Sequence, residues 1–390
     1  MKKKQHSILV LIPYYLPGFK GGGPIQSIAN IVEQLGDEFS FNIVTSDRDF
    51  KETKPYPGIK TNTWDSVGKA RVFYMSPKAF PFTLQKVLRE TPHDLLYLNG
   101  YYHPGFAIMP LWMRRFNLIP VKPALLAPRN EFNPNFMKIK AYKKKPYIST
   151  SKLVGINNGI SFHATTEDEA RDINKLFSGG FVPSPIFVAR EMIKPGVYTS
   201  RKENPKCPGH ARFIYLSRVH KTKNLLGALR YLSTITGRIS FDIYGPVEDQ
   251  KYLNDCLEIA AAFPNNIKCT YKGPLDHEKV NETLSDYHFF FLPTWGENFG
   301  HVIWEALSSG CIPIISDQTP WRDLEKMALG WDLPLNDPTM WQETLQHCVD
   351  MGNDEYTVIR KNIYRFVSSK TNDGVEMSRN MFLKCIEHSK

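Results

Sequence analysis

Short apolar runs of strand length alternate along the chain with longer segments whose apolar residues recur at helical spacing. At the start, residues 8–12 form an apolar run, a glycine-rich turn follows, and residues 25–35 have the helical spacing. Further strands are predicted at 41–44, 71–74, 95–98, 124–127 and 161–164, and then at 213–216, 239–244, 267–271, 288–292 and 312–315. This alternation is typical of α/β folds with parallel, doubly wound sheets.

Proline and glycine interrupt the alternation between residues 182 and 210, which is typical of a linker. A chain of 390 residues is long enough for two domains of ordinary size. The sequence therefore predicts one domain over residues 1–190, a second over 191–370, and a C-terminal helix over 371–390 that could return to the first domain. Ligands of parallel sheets bind at the carboxyl ends of the strands, so two Rossmann-like domains facing across a cleft would hold a ligand between them.

The length of the apolar runs and the spacing of the cysteines indicate the cellular compartment of the protein. No apolar run approaches the roughly 20 residues that cross a bilayer, and residues 1–5 lead into a strand instead of the apolar core of a signal peptide. The six cysteines form no Cys-x-x-Cys pair, which favours free thiols in a reducing compartment. We therefore expect a soluble, cytoplasmic protein.

The net charge of +10 favours an anionic partner, which could be nucleic acid, an anionic membrane surface or a phosphorylated small molecule. Composition alone does not choose among these. Five lysines cluster within residues 138–145 and could contact anionic lipid headgroups, at about 1 kcal/mol for each basic residue. A solvated helix face is the alternative.

The segment with the most specific chemistry covers residues 293–313 and reads PTWGENFGHVIWEALSSGCIP. Its pattern predicts a strand end, a loop, a helix, a tight turn and another strand. Glu297 lies in the loop, Glu305 lies about two turns further along, and the amides around Phe299 and Gly300 are predicted to open the helix. A helix N-terminus attracts phosphate, and carboxylates accept hydrogen bonds from hydroxyl groups.

The Glu-x7-Glu spacing within this segment resembles the donor-binding signature of glycosyltransferase family 4. That resemblance implies a GT-B fold, with an acceptor-side first domain and a second domain that binds a nucleotide-sugar donor. It implies that Glu297 contacts the transferred sugar and that Glu305 holds the ribose hydroxyls. Asn298, Phe299 and Gly300 would belong to the same donor site.

Other short segments extend the resemblance over most of the chain. Arg218 and Lys223 follow a predicted strand at the spacing with which family members grip the donor diphosphate without a metal ion. Further donor-binding positions implied by the resemblance lie in the first-strand loop and at two strand-end turns: Gly22, Gly23, Gly245, Gly273, Pro274 and Leu275. The first-strand loop lacks the Gly-x-Gly-x-x-Gly and P-loop patterns, which argues against NAD-binding and ATPase functions.

The chain departs from the family in its first domain. Many members end a strand there with a His-Gly pair near the reacting carbon, whereas residues 127–130 of this chain read APRN. A reaction-centre histidine is therefore not carried over. Arg129 and His103 are the acceptor-side candidates, although a lone histidine after a strand is more often structural.

The resemblance implies a retaining, metal-independent glycosyltransferase without a cofactor. It would move a sugar from a UDP- or GDP-sugar to a saccharide or lipid-linked saccharide acceptor in the synthesis of a surface polysaccharide, such as lipopolysaccharide or capsule. Peripheral contact with an anionic membrane at its cytoplasmic face is expected, and nucleic acid is not expected as a partner. The alternatives are a nucleotide-sugar epimerase or phosphorylase of the same architecture, and a non-catalytic protein that binds anions or nucleic acid.

Overall fold

The computed structural model describes residues 5–177, 185–193, 204–370 and 372–387. The chain divides into two compact units, Met1–Lys194 with Asn372–Lys390 and Pro195–Thr371. Each unit consists of a largely parallel β-sheet flanked by helices. The prediction of two α/β domains with parallel sheets is confirmed.

The sheet of the first unit has the order β3-β4-β2-β1-β5-β6-β7-β8 among the described residues. All neighbouring strands in it pair in parallel except β3 and β4, which are antiparallel. The strands are β1 (His6–Leu11), β2 (Phe39–Ser46), β3 (Trp64–Val67), β4 (Ala70–Met75), β5 (Leu95–Asn99), β6 (Ala124–Ala127), β7 (Ile160–Ala164) and β8 (Ile186–Val188).

Apolar side chains pack on both faces of this sheet. Alternate residues of each strand point to opposite faces, and each set belongs to its own apolar cluster. Ile8 and Val10 pack on one side with Phe382 of the C-terminal helix, while Leu9 and Leu11 pack on the other. The helices of the unit are α1 (Gly23–Leu35), α2 (Phe82–Glu90), α3 (Met109–Arg115), α4 (Pro134–Lys138), α5 (Ala141–Val154), α6 (Glu167–Phe177) and α13 (Asp373–Glu387).

The sheet of the second unit has the order β11-β10-β9-β12-β13-β14 and is parallel throughout the part that the structure describes. Its strands are β9 (His210–Leu216), β10 (Arg238–Tyr244), β11 (Ile267–Gly273), β12 (Phe289–Leu292), β13 (Ile312–Ser316) and β14 (Trp331–Leu333). Its helices are α7 (Leu225–Leu232), α8 (Gln250–Ala261), α9 (Val280–Ser285), α10 (His301–Ser308), α11 (Pro338–Asp350) and α12 (Asn353–Ser369).

The structure contains three strands that the apolar pattern did not predict, namely β3, β8 and β14. β8 lies inside the segment that was interpreted as a linker, and it pairs in parallel with β7. Part of that segment, at 182–184 and 194–203, lies outside the described residues. The linker prediction is therefore wrong for Ile186–Val188, where the chain adds a strand to the edge of the first sheet.

No helix among the described residues is both long enough and apolar enough to span a membrane. All six cysteines are unpaired, and four of them are buried. Burial raises the pKa of the Cys256 thiol to about 11 and that of Cys385 to about 12. These thiols therefore remain protonated at neutral pH and behave as small apolar groups in the core.

Candidate functional site

The candidate site lies at the carboxyl edge of the second unit's sheet. Because the strands are parallel, the loops that follow β9, β10, β11, β12 and β13 all leave this edge. The loops after β9 and β12 carry Arg218, Lys223 and Glu297, and α10 carries Glu305. The fold therefore assembles on one edge residues that are up to 87 positions apart, from 218 to 305.

The helix α10 begins at His301, directly after Gly300. Gly300 has φ 77° and lies in the left-handed region, where a side chain is disfavoured. A Cβ atom there would also lie 2.7 Å from Cδ1 of Ile303. The helix thus begins directly after Phe299 and Gly300, the residues predicted to open it, and Glu305 lies about one turn into the helix.

Lys223 and Glu297 form an ion pair, with 2.5 Å between Nζ and Oε1. Lys223 is only 9% exposed, so water screens its charge poorly. The carbonyl of Thr222 accepts hydrogen bonds from the Trp295 amide at 2.9 Å and from Oγ1 of Thr294 at 3.2 Å. These bonds fasten the loop after β9 to the loop after β12 and fix the distance between the cation and the carboxylate.

Arg218 forms a second ion pair on the same edge, with 2.7 Å between its Nη1 and Oε2 of Glu248. Gly245, at the end of β10, allows the two loops to approach. It has φ 142°, and a Cβ atom at this position would lie 1.8 Å from the carbonyl oxygen of Ser217. Gly245 was predicted from the resemblance as a donor-binding position, and the structure gives it a packing reason as well.

The turn after β11 lies next to the turn after β10. The Gly245 amide donates to the Gly273 carbonyl at 2.9 Å, and the Tyr271 hydroxyl donates to the Gly245 carbonyl at 2.9 Å. Gly273 has φ 84°, and Pro274 and Leu275 continue the chain at the surface. Nδ1 of His277 lies 3.7 Å from Oε1 of Glu305, which brings this turn to α10.

Two residues of this edge were missed by the sequence analysis. Glu248 was given no role, although it contacts Arg218. Trp321 was also given no role, and its indole Nε1 donates a hydrogen bond to the Phe299 carbonyl at 2.6 Å. At the end of β13, Oγ of Ser316 donates a hydrogen bond to the Thr294 carbonyl at 2.5 Å. This bond holds the loop that carries Glu297. Glu248 and Trp321 both lie in loops that follow parallel strands, and this position is the signal that could have identified them.

His220 lies in the loop after β9, between Arg218 and Lys223 in the sequence. Burial lowers the pKa of His220, with the nearby carboxylate of Glu248 opposing this effect. Its Nδ1 accepts a hydrogen bond from the Thr222 amide at 3.3 Å, which requires an unprotonated nitrogen. The cationic groups available to an anionic ligand in the loop after β9 are therefore those of Arg218, Lys221 and Lys223.

The predicted glycines of the first unit lie at the start of α1. Gly22 caps the helix with φ 76°, and Gly23 is its first residue. Oδ2 of Asp49 accepts hydrogen bonds from the amides of Phe19 and Lys20, which holds the preceding loop in place. Gly22 and Gly23 therefore lie beyond the carboxyl end of β1, within the first unit.

The acceptor-side candidates are both engaged within the first unit. Nδ1 of His103 accepts a hydrogen bond from the Phe106 amide at 3.2 Å, and burial lowers the pKa of His103 to about 4. Arg129 is buried and forms an ion pair with Glu191 at 2.6 Å. Arg129 also donates to Oδ1 of Asn99 at 2.7 Å, so it ties the ends of β5 and β6 together.

Among the described residues, no group of three or more histidines, cysteines, aspartates or glutamates is placed to hold a metal ion. The chain has an Asp-x-Asp sequence at residues 47–49, a pattern that can bind a metal ion in other transferases. Asp47 pairs with Arg48 at 2.7 Å, and Asp49 holds the amides of the first-strand loop. Both carboxylates therefore serve local structure in the first unit.

Comparisons with known proteins bear on the second unit and on the whole fold. Residues 198–366 match the family model described as Glycosyl transferases group 1. This match confirms the prediction that the protein is an enzyme of the glycosyltransferase class. A search of curated proteins found no match.

Similar solved structures share the fold across almost the whole chain. HepE from Anabaena, in complex with UDP and glucose, is 12% identical with a TM-score of 0.68, and the match covers 97% of this chain and 99% of that one. WaaG, a glycosyltransferase involved in lipopolysaccharide biosynthesis, is 11% identical with a TM-score of 0.68 and coverages of 96% and 99%. A UDP-forming α,α-trehalose-phosphate synthase from Burkholderia xenovorans, in complex with glucose-6-phosphate, is 9% identical with a TM-score of 0.69 and coverages of 97% and 99%. The predicted GT-B fold is confirmed.

Proposed function

We propose that this glycosyltransferase is a retaining enzyme of family 4 that transfers a sugar from a UDP- or GDP-sugar to a saccharide or lipid-linked saccharide acceptor. The observation that carries the proposal is the ion pair of Lys223 with Glu297, which lies in the loop that leads into α10. It places a poorly screened cation, a carboxylate and the positive end of a helix at the carboxyl edge of a parallel sheet. That combination suits a ligand with a diphosphate at one end and sugar hydroxyls at the other.

The proposed reaction separates charge at the bond between the sugar and the diphosphate. As the bond from the anomeric carbon to the phosphate oxygen breaks, both bonding electrons remain on that oxygen, and the ammonium of Lys223 and the guanidinium of Arg218 stabilise the added charge. The acceptor hydroxyl forms the new bond to the anomeric carbon on the same face. Its proton passes to the departing phosphate, so no protein base or covalent intermediate is required.

The carboxylates have different roles in this proposal. Glu297, beside Lys223, would accept hydrogen bonds from hydroxyls of the transferred sugar, where small displacements change the reacting geometry. Glu305, one turn into α10, would hold the ribose hydroxyls in the ground state and in the transition state alike. Arg218 and Lys223 take the place of a metal ion, and metal independence stays a prediction.

A role in surface polysaccharide synthesis at the cytoplasmic face of the membrane is the finer part of the proposal. The basic cluster at residues 138–145 supports it, since Lys138, Lys143 and Lys145 are all exposed. Over residues 95–166 the chain has ten lysines and arginines and one acidic residue, Glu131. Glu131 is turned inward, because its Oε2 accepts the Tyr101 amide at 2.6 Å.

The exposed side of α5 adds apolar contacts to this charge. Tyr142 is 73% exposed and Leu153 is 83% exposed, and these residues lie eleven positions apart, which places them on the same side of the helix. A helix with exposed apolar side chains among lysines is suited to the surface of an anionic bilayer.

Replacing Lys138, Lys143 and Lys145 with glutamine should weaken binding to vesicles that contain anionic lipid. The same change at Lys251, Lys268 and Lys361, which are exposed in the second unit, is the matched control.

The donor is tested by thermal stability in the presence of UDP-, GDP-, ADP- and CDP-sugars, because a ligand that binds only the folded state raises its apparent stability. The sugar nucleotide with the largest shift is then supplied with saccharide acceptors, and the anomeric configuration of the product is read by NMR. A retained configuration supports the proposal, whereas an inverted configuration contradicts it. Formation of an isomer of the sugar nucleotide without an acceptor would favour the epimerase alternative.

A further inference from the structure

The loops after β9 and β10 remain paired beyond the ends of the two strands. Val219 and Val247 form an isolated parallel bridge. The Val219 amide donates to the Pro246 carbonyl at 2.9 Å, and the Glu248 amide donates to the Val219 carbonyl at 3.1 Å. The backbone of Glu248 is therefore fixed beside the residue that follows Arg218.

The chain is also fixed on the other side of Glu248. Asp249 caps α8, because its Oδ1 accepts a hydrogen bond from the Tyr252 amide at 3.0 Å. The pKa of Asp249 is lowered chiefly by that hydrogen bond, which keeps the cap charged. Glu248 thus stands between a backbone bridge and a helix cap. The backbone that carries its carboxylate is therefore held close to Arg218.

The contact itself involves one end of each side chain. Oε2 of Glu248 lies 2.7 Å from Nη1 of Arg218, and the two side chains are 21% and 35% exposed. A guanidinium has five N–H donors in a rigid plane, so one bond to Nη1 restricts its orientation and still leaves donors for a second acidic group. An arginine that is already oriented loses less conformational freedom when an anion binds.

We propose that Glu248 is a positioning residue that holds the Arg218 guanidinium in the orientation required by the diphosphate of the donor. This inference rests on the proposed function, in which Arg218 stabilises the departing diphosphate. Glu248 touches neither the sugar nor the phosphates in this account. It acts through Arg218, by fixing the plane of the guanidinium before the ligand arrives.

The opposite role for Glu248 is physically reasonable, and it predicts the opposite change in diphosphate affinity when the side chain is removed. A carboxylate paired with Arg218 could instead compete with the diphosphate for the guanidinium and repel it. Removing the Glu248 side chain would then strengthen diphosphate binding. Under the positioning role the same change weakens binding, because Arg218 loses its fixed orientation.

Titration calorimetry with free UDP, GDP, ADP and CDP separates the two roles, because these nucleotides carry the charge that the leaving group acquires. The variants are Arg218→Ala, Glu248→Ala, Glu248→Gln and the double alanine variant. Glu258→Ala is the matched control, since Glu258 is an exposed acid on α8. Arg218→Ala should weaken binding of the preferred diphosphate about tenfold or more, as expected for a charge-assisted hydrogen bond.

Glu248→Ala should weaken binding by about three- to tenfold, a large part of the Arg218→Ala effect. Glu248→Gln should stay within about twofold of wild type, because the amide oxygen still accepts from Nη1. The double variant should bind no worse than Arg218→Ala, since Glu248 acts only through that residue. A role limited to folding would not give rescue by glutamine together with dependence on Arg218.

The failures of the two proposals are distinguishable. If wild type and Arg218→Ala bind every diphosphate equally, or if wild type binds none, the proposed donor site is wrong and the inference falls with it. If Arg218→Ala weakens binding while Glu248→Ala leaves it unchanged or strengthens it, the donor site stands and the positioning role is overturned. Equal losses in Glu248→Ala and Glu248→Gln would also overturn it.

Discussion

Lys223→Met should slow sugar transfer far more than Lys221→Met, although the two lysines belong to the same turn, Lys221–Lys223. Methionine keeps most of the length of lysine and removes the charge. Lys223 is 9% exposed and contacts Glu297, whereas Lys221 is exposed. Losing a preorganised group that stabilises developing charge costs about 2.7 to 4 kcal/mol, so Lys223→Met should lower the rate by about 10² to 10³.

The expected effect at Lys221 is much smaller because its charge is screened by water and salt. Exposed ion pairs contribute about 0 to 1 kcal/mol, so Lys221→Met should change the rate by less than about fivefold. The assay is single-turnover transfer at saturating sugar nucleotide, which removes the contribution of donor binding. Each variant's thermal unfolding is measured beside it, so that a loss of fold is recognised.

Two results would refute this reasoning. One is a Lys221→Met rate as low as that of Lys223→Met, which would show that burial does not decide the effect. The other is a wild-type rate for Lys223→Met in a folded protein, which would remove Lys223 from the diphosphate site. Arg218→Ala combined with Lys223→Met should lose less than the product of the single effects, because both cations act on one leaving group.

Three further predictions concern the carboxylates, metal ions and pH. Glu305→Gln should weaken donor binding by about 1.5 to 3 kcal/mol in calorimetry, whereas Glu297→Gln should chiefly slow single-turnover transfer; unchanged affinity in Glu305→Gln would reject its assignment to the ribose. Transfer should continue in EDTA, and a loss that Mn²⁺ or Mg²⁺ restores would contradict the cation-based mechanism. Burial lowers the pKa of His103 and of His163 to about 4, below the unfolded value of about 6.5, so their contribution to stability is complete above that value and is lost as the pH falls towards 4. The slope of unfolding free energy against pH measures the protons taken up on unfolding, and His103→Asn should lower that number by up to about one in this range. An unchanged slope would contradict the neutral state of His103.

The buried strands were determined by the sequence itself. In a parallel sheet covered on both faces, each strand is a nearly continuous apolar run, and this signal is local. The run at residues 8–12 corresponds to β1, and the run at 312–315 lies within β13. The helical spacing of apolar residues is also a local signal, and the spacing at residues 25–35 lies within α1 (Gly23–Leu35).

The edge strands required the tertiary structure. β3 has no fully buried residue, and the three residues of β8 are all half-buried. Neither therefore has an apolar run to distinguish it from a loop. β8 forms because β7 offers it an unpaired edge, to which the Phe162 amide adds a hydrogen bond with the Pro185 carbonyl at 2.7 Å. Pairing of this kind depends on a strand that lies more than twenty residues away in the sequence, so the residues of β8 alone do not predict it.

In the candidate site, too, some features follow from the local sequence and others only from the tertiary structure. The sequence determined which residue types follow the strands of the second unit, because motifs and strand ends are local features. Only the tertiary structure decided their partners. Lys223 meets Glu297 across 74 positions and Arg218 meets Glu248 across 30, because parallel strands that are neighbours in the sheet bring their loops to one edge. Burial is decided in the same way, since the folded chain around Arg129, and not the residues next to it in sequence, excludes water from its ion pair with Glu191.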